Sequence, residues 1–129
     1  MICADGWYPP VYERLKTQRC DILLQPSFGV PDDHWGKFWR GYSGYAAPTG
    51  VDLLDSRRLT EAEAWIKYSM VSRIASCGAR YDVNTFMVGK VWDLRTGGQS
   101  RLVRKQGEKV EYLLSRDQLR EQLLYLETE

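Results

Sequence analysis

The run Ile2-Cys3-Ala4-Asp5-Gly6-Trp7-Tyr8-Pro9-Pro10-Val11-Tyr12-Glu13-Arg14-Leu15-Lys16, with Asp21-Ile22-Leu23-Leu24-Gln25-Pro26 after it, decides how the chain is read. Met1 to Ala4 reads as the tail of a buried strand, shorter than the five or six residues that strands usually run. Pro9-Pro10 then opens a helix, because the N–H that proline lacks would be unpaired in a first helical turn anyway. Val11, Tyr12 and Leu15 make its apolar face, and Glu13, Arg14 and Lys16 lie elsewhere. Asp21 to Gln25 is a short, largely apolar strand that Pro26 ends. Strand, helix and strand in this order predict a βαβ crossover and therefore an α/β sheet.

Downstream, residues 29–59 are irregular, with His34, Trp35, Phe38, Trp39, Tyr42 and Tyr45 set among Gly, Pro, Asp and Ser. A stretch of that length without its own regular structure is usually functional or hides short helical turns. Its aromatic residues fit loop and core packing, a pocket lining or a subunit contact. His34 reads as a solvated loop histidine rather than a substrate contact. Gly41-Tyr42-Ser43-Gly44 is not a nucleophile elbow, since its second glycine comes one place early.

Thr60 with Glu63 fits a capping box. Ile66, Met70, Ile74 and Cys77 then recur at helical spacing, and Gly78 suits the C-cap. From Tyr81 to Trp92 the period becomes that of a strand, with Val83, Thr85 and Met87 opposite Asn84, Phe86 and Val88. Gly97-Gly98 marks a turn, and Arg101–Lys105 with Lys109–Leu114 form a hairpin around Gly107. Ser115 with Gln118 predicts a last helix carrying Leu119, Leu123 and Leu126 on one face.

The 129 residues are 43% apolar and 27% charged, the composition of one globular domain with its own core. Eighteen basic and 17 acidic residues leave a net charge of +1, so the basic footprint of a nucleic-acid binder is missing. Five tryptophans and eight tyrosines imply deep packing or a cleft. Cys3, Cys20 and Cys77 form no C-x-x-C pair and share the chain with one histidine, so neither a structural zinc site nor a disulfide framework is expected. No apolar run reaches the ~20 residues of a membrane span, and no signal peptide opens the chain. The expectation is a cytoplasmic protein without metal or cofactor and with no nucleic-acid or membrane partner.

Cys3 is the sharpest candidate for chemistry. It sits where a strand end passes into a loop and then a helix, the edge at which α/β folds place their sites. Cys20 and Cys77 read as inert packing residues. The run from Ile2 to Pro10 resembles the cysteine motif of carbon–nitrogen hydrolases, the nitrilase and amidase superfamily. Cys20-Asp21-Ile22-Leu23-Leu24-Gln25-Pro26-Ser27 is similar to that family's next strand. The segments Arg80-Tyr81-Asp82-Val83-Asn84-Thr85-Phe86-Met87-Val88-Gly89 and Gly98-Gln99-Ser100 resemble the strand and glycine-bounded turn that follow its long helix. The likeness runs in order over essentially the whole chain.

That resemblance implies that residues 1–129 are the C-terminal portion of a single domain, roughly half of a four-layer α-β-β-α sandwich. It implies that Cys3 attacks a small-molecule amide or nitrile and forms a covalent intermediate that water hydrolyses, with the Ala4 backbone N–H steadying the oxyanion. Trp7 and Trp35 are the pocket candidates. The family's glutamate base and its lysine both precede the cysteine, whereas only two residues precede Cys3 here. Glu13, Glu61, Glu63, Lys16 and Lys37 match none of its positions. The expectation is therefore a fragment of a homo-oligomeric enzyme, or a shortened non-catalytic relative serving as a binding or assembly module. Acyl transfer to amines is a further activity within such a family. A half sandwich would leave one sheet face poorly covered, so this chain alone should be marginally stable or associate.

Overall fold

The computed structural model describes residues 1–29, 34–42 and 46–128. Ser43, Gly44 and Tyr45, named above, lie outside the described residues. Helices α1 (Pro9–Thr17), α2 (Glu61–Tyr68) and α3 (Met70–Arg73) accompany a sheet built from β1 (Ile22–Ser27), β2 (Tyr81–Phe86), β5 (Arg101–Gln106) and β6 (Lys109–Leu114). A separate hairpin pairs β3 (Gly89–Val91) with β4 (Leu94–Thr96). The order in the larger sheet is β1-β2-β5-β6, with β1 parallel to β2 and the remaining pairs antiparallel. Helices with a mixed sheet give an α/β fold. Among the described residues no helix is long and apolar enough to cross a membrane.

The βαβ crossover is present, but it joins β1 to β2 through α2 and α3. Met1–Ala4 is not the end of a strand: a 3-10 turn begins at Cys3 and runs to Trp7. Pro26 does not end its strand either. β1 continues to Ser27, and proline is tolerated there because β1 is an edge strand, where a missing donor leaves no ladder bond unmade.

Thr60 caps α2 as expected: its hydroxyl accepts from the Glu63 N–H at 3.3 Å, and the Glu63 carboxylate accepts from the Thr60 N–H at 2.7 Å. The helix then breaks at Ser69. At 100° per residue, an unbroken helix would point Trp65 and Tyr68 nearly opposite to Met70 and Ile74. All four are buried, so the break turns both sets inward. The buried face of α2 is Ala64, Trp65 and Tyr68, with Ile66 half-buried. Gly78 follows Cys77 with φ +81°, the left-handed conformation that glycine adopts without steric cost.

The strand expected to reach Trp92 stops at Phe86, and the chain re-forms as the β3–β4 hairpin with Trp92 at its exposed tip. β5 and β6 form the expected hairpin through Gly107-Glu108, with Gly107 at φ +58°. Among the described residues no helix forms after Ser115. Leu119 and Leu123 are exposed, Leu123 at 87%, and a leucine stripe with nothing to bury against does not hold a helix in water.

The core has two clusters. Tyr12, Leu23, Met70, Ile74, Cys77, Ala79 and Val103 form an aliphatic one beneath the sheet, which Cys20 joins half-buried. Trp7, Trp35, Trp39, Ala64, Trp65, Tyr68 and Phe86 form an aromatic one. The opposite face of the sheet carries the in-register row Leu24, Val83, Leu102 and Leu113, in which Leu24 and Leu113 are exposed.

Candidate functional site

Cys3 has φ +46°, a left-handed conformation that costs a non-glycine residue about 1 kcal/mol or more. Four contacts impose it. The buried Gln25 side chain, projecting from β1, donates to the Cys3 carbonyl. The Asp5 carboxylate accepts from the Ile2 N–H at 2.9 Å, and the Asp5 N–H donates to the Ile2 carbonyl at 3.0 Å. Tyr12 donates from its hydroxyl to the Gly6 carbonyl at 3.1 Å, tying the turn to α1. Gly6 is needed here because a Cβ would run into the Gln25 amide.

The half-buried Cys3 thiol donates to the Phe28 carbonyl at 3.3 Å. The neighbouring Ala4 is exposed, and its N–H has no hydrogen-bond partner among the described residues. Cys3 also lies close to Tyr42. The Tyr42 hydroxyl is pushed well above the usual phenol range, first by burial, then by its hydrogen bond and charge coupling to Tyr8, and by the charges of Cys3 and Asp5.

Beside this turn is a cavity of about 270 Å³ lined by Ala4, Trp7, Trp39, Tyr42, Glu61 and Trp65, with Gly41 at its edge. Trp7 is the hub. Its ring centroid lies 5.4 Å from Trp65 at 85°, 5.8 Å from Tyr42 at 60° and 5.6 Å from Trp39 at 31°. Glu61, the first residue of α2, accepts from the Trp65 indole Nε1 at 3.2 Å. Burial pushes the Glu61 carboxyl above the usual carboxylate range, against the smaller opposite effect of that hydrogen bond.

Of the expected site residues, Ala4 and Trp7 line this cavity, while Cys3, next to Ala4 in the chain, does not and turns its thiol to the Phe28 carbonyl. Trp35 does not line the cavity either. Its indole donates to Gln99 at 3.2 Å and its ring packs on Phe86, beside a separate opening bordered by Gly36, Ala62 and Gln99. His34 is half-buried, with Nε2 3.5 Å from an Arg40 nitrogen. Glu61 and Trp65 were not legible as site residues. Their i, i+4 spacing on α2 was the available signal, since it places them one turn apart on the same face. Among the described residues there is no cluster of three or more histidine, cysteine, aspartate or glutamate side chains able to hold a metal.

Between the clusters lies a buried polar layer. Asn84 donates to the Gln25 carbonyl at 2.8 Å and to the Ser27 hydroxyl at 2.7 Å. Asp82 and Arg101 are almost fully buried, and neither the carboxylate oxygens nor the terminal guanidinium nitrogens make a hydrogen bond among the described residues. Burial raises Asp82 to about 7 and lowers Arg101 to about 10. The guanidinium lies about 6 Å from the rings of Trp35, Trp65 and Phe86.

Comparison with family models, curated proteins and solved structures finds no significant match to this chain.

Proposed function

We propose that Cys3 is the thiol nucleophile of a hydrolase acting on non-peptide carbon–nitrogen bonds, of the carbon–nitrogen hydrolase type that the sequence motifs resemble. The observation that carries this reading is the strained, multiply tethered turn begun by Cys3, whose Ala4 and Trp7 line an aromatic cavity. Backbone strain of this kind clusters at reacting centres, where the surrounding contacts impose it.

In the proposed reaction the Cys3 sulfur attacks the amide or nitrile carbon, and the exposed Ala4 N–H donates to the developing negative charge. For an amide, the C–N bond then breaks and the nitrogen leaves with a proton. Water cleaves the thioester and restores the thiol. The reading requires a glutamate base and a lysine that the matched motifs do not include, because a thiol without a base forgoes a factor of roughly 10²–10⁴. The finer architecture, a four-layer sandwich, would lay a second sheet on the Leu24, Val83, Leu102 and Leu113 row. That same row favours a second reading, a non-catalytic assembly module.

Alkylation with iodoacetamide at neutral pH, followed by peptide mapping, separates the two. The hydrolase reading expects Cys3 to react fastest and Cys77 slowest, since burial holds the Cys77 thiol protonated. Equal rates at Cys3, Cys20 and Cys77 would leave the assembly module standing.

A further inference from the structure

We propose that the cavity beside Cys3 binds an alkylammonium cation, and that a substrate of this site carries such a group. Three independent observations converge on it. The first is the wall chemistry: Trp7, Trp39, Tyr42 and Trp65 line this solvent-open cleft, and the negative faces of aromatic rings attract cations. The second is arrangement. Trp65 and Tyr42 meet Trp7 steeply, at 85° and 60°, while Trp39 lies tilted on it at 31°, so two rings stand as walls against a tilted pair. The third is charge: Glu61 brings a carboxylate to the same cavity, and among the described residues its side chain accepts one hydrogen bond, from the neutral Trp65 indole.

Among the described residues no basic side chain lines this space. Lys37 and Arg40 belong to the neighbouring segment, and Lys37 meets α2 through its carbonyl, which accepts the Glu61 N–H at 3.0 Å. Asp5, two residues after Cys3, adds further negative charge close enough to act on Tyr42. A half-buried carboxylate without a counter-ion is costly to keep charged, and a bound cation relieves that cost. At about 270 Å³ the cavity lies just below the range of drug-sized pockets, which suits a trimethylammonium or primary ammonium head. Neutral apolar ligands would gain the ring contacts but leave Glu61 unpaired.

That the cation belongs to the substrate rests on the Cys3 reading; that the cavity binds it does not. The experiment is a tryptophan-fluorescence titration of the full chain with choline and with its neutral carbon isostere, 3,3-dimethylbutan-1-ol. Choline should bind saturably and at least about tenfold more tightly than the isostere. Glu61→Gln keeps an acceptor for the Trp65 indole and should remove that preference, with circular dichroism confirming an unchanged fold. Cys3→Ala should bind choline like the parent. Equal affinity for the two ligands, or no saturable response to choline, overturns the proposal and leaves the rings as core. Choline binding together with an unreactive Cys3 would retain the cation site and sink only its assignment to a hydrolase substrate.

Discussion

The two core clusters each hold seven buried residues, yet they are built from different parts of the chain. The aliphatic cluster takes Tyr12 from α1, Leu23 from β1, Met70 from α3 and Val103 from β5, with Ile74, Cys77 and Ala79 from the turns that follow α3. The aromatic cluster takes Ala64, Trp65 and Tyr68 from α2 and Phe86 from β2, with Trp7 from a 3-10 turn and Trp35 and Trp39 from an irregular segment, so the two differ in side-chain type and not in their share of regular structure. Flexible apolar chains fill the space beneath a sheet, whereas rigid rings meeting at steep angles leave a box beside Cys3. The first packs beneath the sheet, and the second borders a cavity.

The most severe test of that division is Met70→Ala. Met70 is fully buried at the centre of the aliphatic cluster, and its truncation should cost about 2–5 kcal/mol, read as a fall in the urea midpoint. Below the midpoint the tryptophan emission should match that of the parent, because all five tryptophans lie outside that cluster. If the emission moved together with the loss of stability, the clusters would be one packing unit and the comparison would fail.

Asp82 lies on the covered face of the sheet, in register between Leu23 and Val103 of the aliphatic cluster, and sharpens the comparison through pH. It is faced by Arg101, by the Met1 amino group, and by Tyr12 and Cys77, both of which feel its charge. Its folded value, about 7, is raised from the ordinary 3.8, chiefly by burial, so the folded state binds this proton more tightly than the unfolded chain. The stabilising contribution is therefore full below about pH 4 and is lost as pH rises towards 7. One proton can change stability by at most about 1.4 kcal/mol per pH unit. Relative to the parent, Asp82→Asn should lose this slope between pH 4 and 7 and be the more stable protein at pH 8. Parallel stability curves for the two proteins, followed by chemical denaturation, would contradict that.

What the sequence disclosed follows the same division. Local rules located α1 at Pro9, the Thr60–Glu63 box and the hairpin around Gly107, because each is decided within a few residues. The likeness of the motifs drew attention to the turn that Cys3 begins, and Ala4 and Trp7 of that turn line one cavity. The break at Ser69 was not legible, since it exists to serve two clusters at once and no local pattern records that. The leucines at 119, 123 and 126 have the spacing of a helix but lack a surface to lie on. Asp82 and Arg101 looked like ordinary strand residues; only the closing of helices over one sheet face buried them. Glu61 read as part of a helix start, and its place on the cavity comes from the turn that Cys3 begins.

The smallest expected effect concerns that helix start. Thr60 holds the first turn of α2 through its hydroxyl and its N–H, both engaged with Glu63, and Glu61 and Trp65 lie on the turn so fixed. Thr60→Ala removes the hydroxyl and should cost about 1 kcal/mol. The two clusters should not share this loss equally. Amide exchange should quicken across α2, which carries Ala64, Trp65 and Tyr68, while β1 and β5 beside the aliphatic cluster keep their protection. Loss spread evenly over helix and strands would mean that α2 opens only with the whole molecule. Confined to α2, it would show that the cavity wall bearing Glu61 and Trp65 opens more easily than the sheet supporting it, as a site built on short helices and turns requires.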